Sequence, residues 1–243
     1  MTPLLRAAGN ARTVMVDVLA SGGDVLVLAP HPDDESLGCG AAIAALSALG
    51  RRAQVVVVTD GGHSHPASRN TPPASLRRLR AAEVTRAVDI LTAGRGPAPV
   101  LLGYPDSAAP DGDAAADGAI ARILPHISAS TTAIWSSWGG DPHADHGRTA
   151  RLAARLVAQR PALALWSYPI WGRFDPAAAD FGSDALVQFE THAWQDCKAA
   201  AIAAHVSQMT GLISDDPDGF RMTDAHQRHF LRSPEIFLRE TAP

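Results

Sequence analysis

Ala29-Pro30-His31-Pro32-Asp33-Asp34-Glu35 is the stretch from which the rest of the chain is read. It directly follows the apolar run Val25-Leu26-Val27-Leu28 and precedes a glycine-punctuated, alanine-rich segment, Gly38 to Leu49. That order predicts a buried strand, a tight polar turn and a helix. In open α/β sheets, ligands bind in the crevice beyond the carboxyl ends of the strands, where this turn falls. A histidine and three acids within five positions repel one another, and the carboxylates resist ionising unless a cation sits among them. Imidazole with carboxylate oxygens suits zinc. Such acids can also serve simply as an N-cap and first-turn charges that complement a helix dipole. That explanation covers Asp34 or Glu35 but leaves out His31, which stands between two prolines. Pro30 and Pro32 restrict the backbone on both sides of it and so aim its imidazole.

A partner for this turn occurs downstream. Asp141-Pro142-His143-Ala144-Asp145-His146 follows the apolar run Ala133-Ile134-Trp135 through Trp138-Gly139-Gly140 and precedes a helical segment, Gly147 to Gln159. His143 and His146 are three apart, so at a helix start they lie on one side. Pairs at this spacing also occur on solvated surfaces, but here the pair stands after a strand, as the first turn does.

In chain order, residues 1–23 read as a capping helix around Thr13 to Leu19. Gln54 to Thr59, Val100 to Leu102, Leu163 to Tyr168 and Leu186 to Phe189 read as further strands, and Pro234 to Leu238 as a closing edge strand. Asp111 to Asp117 reads as a loop, followed by helices near Ile120 to Ile127 and from Trp194 to about Met209. Asp60-Gly61-Gly62-His63-Ser64-His65-Pro66 follows a strand beside the first motif, which makes His65 a substrate-binding candidate. On the helix Ser75 to Ala93, residues Leu76, Leu79, Val84, Ala87, Ile90 and Leu91 share one face, with Arg80 and Glu83 in its middle. An ion pair on a buried stripe costs desolvation, so Arg80 either pairs with Glu83 in the core or reaches a site. The rim of that site would come from residues 61–74, 106–117 and 170–182, the last including Trp171-Gly172-Arg173-Phe174.

With 243 residues, 46% of them hydrophobic and 19% charged, the chain suits one soluble α/β domain, residues 1–243. A net charge of -4 and a pI near 6.2 argue against a nucleic-acid surface. Cys39 and Cys197 are too few for a disulfide framework. No apolar run reaches membrane-spanning length and no leader segment is evident, so the expected setting is the cytoplasm, without membrane contact. The sequence does not set the oligomeric state and leaves a homo-oligomer open. Gly38-Cys39-Gly40 does not continue into a dinucleotide fingerprint, because Ile43 holds the third glycine position. No Gly-x-Ser-x-Gly pentad is present.

His-Pro-Asp-Asp-Glu at 31–35 with His-Ala-Asp-His at 143–146 resembles the LmbE-like, or PIG-L, family of zinc-dependent N-deacetylases. The likeness runs from about Val25 to about Leu238. It implies a Rossmann-like, mostly parallel sheet flanked by helices and a substrate of the N-acetylglucosamine type. It also implies that Arg80 contacts substrate oxygens, that Asp106 binds sugar hydroxyls, and that Lys198, His205, Ser207 and Gln208 form a network near the pocket. Asp141 departs from some sugar deacetylases of the family, which carry a tyrosine there. The spacing assigns His31, Asp34 and His146 as ligands to Zn²⁺, or another divalent metal such as Fe²⁺, leaving a position for water, the count of a catalytic site. Asp33, beside a ligand, is the expected general base. His143 would act as acid or as a cation near the oxyanion, its tautomer held by Asp145 or Asp141. The expected function is removal of an acyl group from an amino-sugar amide. The alternatives are an amidase on another small amide conjugate and a non-catalytic metal-binding member.

Overall fold

The apolar runs become the middle of one sheet because they are buried on both faces, as strands flanked by helices on each side must be. The computed structural model describes residues 1–177 and 185–240. Its strands are β1 (Arg12–Thr13), β2 (Asp24–Ala29), β3 (Ala53–Thr59), β4 (Val100–Tyr104), β5 (Thr131–Ser137), β6 (Ala164–Tyr168), β7 (Leu186–Phe189) and β8 (Glu235–Glu240). They form an eight-stranded sheet in the order β1-β7-β8-β6-β5-β2-β3-β4. All neighbours are parallel except β8, which runs antiparallel to both β6 and β7. The helices are α1 (Pro3–Gly9), α2 (Val16–Ala20), α3 (Asp34–Ala48), α4 (Pro73–Thr92), α5 (Asp113–Ile123), α6 (Ala144–Gln159), α7 (Gln195–Ala204), α8 (Val206–Met209) and α9 (Asp224–Arg232).

Alternate residues of each strand feed opposite cores. Val25, Val27 and Ala29 pack with Leu37, Val84, Trp135 and Ile202, beneath α3, α4 and α7. Leu26 and Leu28 pack with Val56, Ile120, Leu152 and Leu156, beneath α5 and α6. The chain leaves β2 towards β3 and β4, then returns to lay β5 on the other side of β2. This reversal is the switch point where open sheets bind ligands. It places the turns after β2 and β5 side by side.

Four local readings change. Residues 1–23 hold α1, the edge strand β1 and α2 rather than one capping helix; Arg12 and Thr13 pair with Val187 and Gln188. The 111–117 stretch is a loop only to Gly112, whose φ of 76° turns the chain into α5. The long helix expected from Trp194 divides at His205, where ψ is 56°. The strand expected to close an edge is internal. Pro234 and the charges of Glu235 and Arg239 mimic edge signals, yet Glu235 is wholly buried.

Glu235 turns inward to a break in α3. Cys39 has φ -143° there, and the freed amides of Ala41 and Ala42 donate to the two Glu235 oxygens at 2.7 and 2.9 Å. Lys198 Nζ completes the arrangement, 2.6 Å from Glu235 Oε1 and 2.9 Å from the Leu37 carbonyl. A side chain at Gly38 would collide with the Tyr168 ring, which is why only glycine fits this close approach.

Candidate active site

The turn after β2 is strained. Asp33 adopts φ 140°, ψ -26°, a conformation that costs on the order of 1–3 kcal/mol and persists only when neighbours enforce it. They do so from two sides. Its N–H donates to Glu35 Oε2 at 3.1 Å, and Glu35 Oε1 accepts from Ser36 Oγ at 2.6 Å and faces His205 Nε2 at 3.1 Å. Opposite, Arg80 Nη2 donates to the Pro32 carbonyl at 2.7 Å and to Asp33 Oδ2 at 3.2 Å, while Nη1 reaches the Gly61 carbonyl at 3.0 Å. Arg80 does not pair with Glu83. The Glu83 carboxylate instead accepts from Ser207 N and Oγ, both at 2.7 Å. Burial raises the pKa of Asp33 to about 6, with Arg80 opposing the rise and Asp34 adding to it.

The strain aims neighbouring acids in different directions. Asp34 Oδ2 lies 3.2 Å from His31 Nδ1 and 3.4 Å from His146 Nε2. Burial favours its neutral form, but the His146 and His31 imidazoles outweigh that and hold its pKa at about 2. The sequence-assigned ligands His31, Asp34 and His146 therefore converge. The ring nitrogens of His31, His143 and His146 also lie within 4.8 Å of one another, so His143 stands beside the ligand set.

The buried donor set fits a metal ion. His146 Nδ1 lies 2.8 Å from Asp141 Oδ2, which places its ring proton on that side, as carboxylates behind metal-binding histidines do. His146 Nε2 is then a lone-pair acceptor, buried and without a hydrogen-bond partner among the described residues. His31 Nε2 is 3.2 Å from Asp145 Oδ2 and 3.4 Å from Asp106 Oδ1. Burial alone would lower the His31 pKa, but Asp106, Asp145 and Asp34 drive it well above the usual value. These carboxylates favour positive charge at this point, which a protonated His31 or a bound cation supplies.

The remaining expected residues have distinct positions. Asp145 is buried and accepts from Ser107 N at 2.8 Å, Ala109 N at 3.0 Å and Arg148 Nη1 at 3.1 Å. Its carboxylate thus ties the loop after β4 to His31, while only its backbone N–H meets His143, at Nδ1 and 3.2 Å. Burial, then His31 and His146, lower the His143 pKa, so its imidazole is neutral at pH 7 with its proton on Nε2. Asp106 accepts from His63 N at 3.1 Å; burial opposes its ionisation, but His31 and Arg80 more than offset that. His65 is buried against Gly219, where any side chain would strike its ring.

These groups open into a cavity of about 680 Å³. His63, Arg80, Asp106 and Ser107 line it on the polar side, whereas Leu37, Trp171, Phe220 and Met222 contribute apolar surface. Sequence reading placed Trp171 on the rim but missed Phe220 and Met222, which follow a stretch without periodicity. His63, from the same loop, lines the cavity, whereas the substrate-binding candidate His65 does not. Of the expected rim, residues 178–182 lie outside the described residues.

A family model described as GlcNAc-PI de-N-acetylase, PIG-L, matches residues 26–157. None of the curated proteins compared matches the sequence. Solved structures do match in fold. N,N'-diacetylchitobiose deacetylase from Pyrococcus horikoshii superposes with a TM-score of 0.62 at 20% identity, covering 90% of this chain and 79% of its own. The conserved protein TT1542 from Thermus thermophilus gives 0.60 at 26% identity, over 91% and 96%. GalB, the 4-carboxy-2-hydroxymuconate hydratase of Pseudomonas putida KT2440, gives 0.62 at 18% identity, over 86% and 83%. The fold therefore accommodates more than one reaction. No helix among the described residues is long and apolar enough to cross a membrane.

Proposed function

The chain belongs to the PIG-L family, whose model spans more than half of its length, and on that premise we propose that it is a metal-dependent N-deacetylase. Its substrate in this reading is the amide of an N-acetylglucosamine-type amino sugar or glycoconjugate, free in the cytoplasm rather than part of a nucleic acid or membrane. The observation that carries the proposal is the buried His146 Nε2, unpartnered among the described residues and facing Asp34 Oδ2 at 3.4 Å, next to the Asp33 carboxylate that Arg80 holds.

His31, Asp34 and His146 would hold the ion, zinc or Fe²⁺, and His143 stands within reach of it. When bound, the ion polarises the amide carbonyl and makes water acidic enough to attack near neutral pH. The protein does the rest. Asp33, fixed by Arg80 and by the Glu35 contact to its N–H, takes the proton from the attacking water. It then returns that proton to the amine nitrogen as the C–N bond breaks. His143, neutral and carrying its proton on Nε2, donates a hydrogen bond to the developing oxyanion. Asp106 and Arg80 line the cavity beside these groups, where Asp106 can accept from sugar hydroxyls. Arg80 is committed to Asp33, Pro32 and Gly61, so its main part is to position the base.

The test is a screen of N-acetylated amino sugars and glycoconjugates, assayed for released acetate and free amine with zinc, with Fe²⁺ and with chelator. Acetate release that chelator abolishes is the expected result. Release from non-sugar amides alone would favour the broader amidase. Metal binding without hydrolysis of any amide would leave the non-catalytic alternative.

A further inference from the structure

Trp171 occupies a place in the cavity that the deacetylation chemistry does not use. It lies in the turn Trp171–Arg173, and that turn is pinned on both sides by one carboxylate. Asp141 Oδ2 accepts from Ile170 N at 2.9 Å and Oδ1 from Gly172 N at 2.6 Å, while Oδ2 also holds His146 Nδ1. Buried Arg173 adds two further ties, to the Pro169 carbonyl at 2.9 Å and the Pro234 carbonyl at 3.2 Å. The Trp171 ring is locked by its neighbours: Phe220 edge-on at 5.8 Å and 89°, His226 at 5.8 Å and Phe174 at 6.3 Å. Even so, Trp171 and Phe220 remain only partly buried and line the cavity.

The wall is therefore preformed and held in register with the candidate ligand His146. Rigid aromatic surface offers contact area at low entropic cost to the partner that covers it. Met222 and Leu37 extend the wall with aliphatic surface. Next to it, the Ser64 hydroxyl and the Gln208 amide nitrogen bond to each other at 3.1 Å. A group bearing many hydroxyls would lose hydration against the Trp171, Phe220 and Met222 surface itself, whereas Ser64, Gln208 and Asp218 line the same cavity with polar groups. The whole cavity, about 680 Å³, is of the size that encloses a drug-sized ligand, more than one sugar ring requires.

We propose that Trp171, Phe220 and Met222 form a subsite for an apolar group of the substrate, of the aryl or alkyl class, attached to the amino sugar. The proposal rests on the hydrolase reading for the placement of the sugar among His63, Asp106 and Asp33. The apolar group can reach the wall from either end of that sugar, as an aglycone or as the acyl group that is removed.

The experiment uses metal-loaded protein and two ligand series, with binding by calorimetry and turnover by amine release measured in parallel. One series varies the aglycone of N-acetylglucosamine from methyl to hexyl and phenyl. The other varies the acyl group of glucosamine from acetyl to octanoyl and benzoyl, and N,N'-diacetylchitobiose serves as the hydroxyl-rich comparison. Burying an apolar side of that size corresponds to roughly 10–100-fold in affinity. That gain is expected in one series, with the series naming the end, and it should fall to about 3-fold or less in Trp171→Ala. Phe220→Leu provides a second, milder variant, and the gradient in the unaltered protein needs no variant at all. Equal affinities across both series, a gradient that survives Trp171→Ala, or an equal gain for the disaccharide would each overturn the proposal. Trp171-dependent binding without hydrolysis would sink the deacetylase reading and leave the subsite standing. Hydrolysis of all members with equal efficiency would do the reverse.

Discussion

At the end of β2 the backbone is bent into a region that residues with side chains avoid, with Asp33 at φ 140°. At the end of β5 it is relaxed: His143 has φ -81°, ψ 126°, an ordinary extended N-cap. The first turn needs the strain because consecutive acids must face different ways, Asp34 towards the histidines and Asp33 towards Arg80. Its support comes from distant elements that clamp the backbone: Arg80 on α4, and His205 acting through Glu35. The second turn places its histidines by helical spacing alone and needs help only with proton position. That help comes from Asp141, two residues before His143 in the same turn. Strain thus separates roles between neighbours, whereas a tether refines a geometry that is already available.

The comparison can be broken most sharply at Asp33. Asp33→Asn keeps the side-chain size and an oxygen for Arg80 but cannot take a proton. Turnover should fall about 10²–10⁴-fold while metal content by elemental analysis stays at the level of the unaltered protein. An unchanged turnover number would remove Asp33 from the chemistry and leave the strain without a function.

A smaller effect is expected where the second turn is tethered. Asp141→Asn withdraws the charged acceptor from His146 Nδ1, and loss of such a partner typically costs about 10–100-fold in metal affinity. Competition with a chromophoric chelator would measure it. Affinity within about 2-fold of the starting protein would show that the tether serves only the Ile170 and Gly172 amides.

The smallest expected change sharpens the comparison from behind the second turn. His229 packs on Phe174 and Phe230, in the cluster that backs Trp171. Burial, then the charge of Arg173, lowers its pKa from 6.5 to about 4. Between those values the unfolded chain binds a proton that the folded chain refuses, so stability declines as pH falls from 6.5 towards 4 and levels off below. His229→Gln should flatten that part of a melting-temperature profile against pH. A profile with its slope intact would assign the acid loss to other groups.

What the residues reveal in advance follows from how local the cause is. Val25 to Leu28 and Val55 to Val58 declare central strands because burial on both faces requires an unbroken apolar run. His31, Asp34, His143 and His146 are visible because each stands within a few residues of a strand end. The burial of Arg80 and Glu83 also follows from helical period, with both buried on α4. Their partners do not: Glu83 bonds Ser207, 124 positions away, and no period encodes that separation. The sequence leaves Asp145 or Asp141 to steady His143; the Asp145 carboxylate anchors Ser107 and Ala109, the Asp141 carboxylate meets His146, and only the Asp145 N–H meets His143. The placement of β8 between two strands, and of Phe220 and Met222 on the pocket wall, depends on long-range packing that leaves no local pattern.

The contact between Glu235 and the break in α3 joins residues 194 positions apart. At about 5–20 residues per second, a ribosome needs on the order of 10–40 s between making the two halves of that contact. During that interval the amides of Ala41 and Ala42 have no carboxylate to receive them, and the Lys198 ammonium, once made, lacks its counter-charge. In the folded protein that carboxylate is carried by β8, which lies between β6 and β7. The second half of α3 therefore gains its carboxylate partner only after Glu235 has been made.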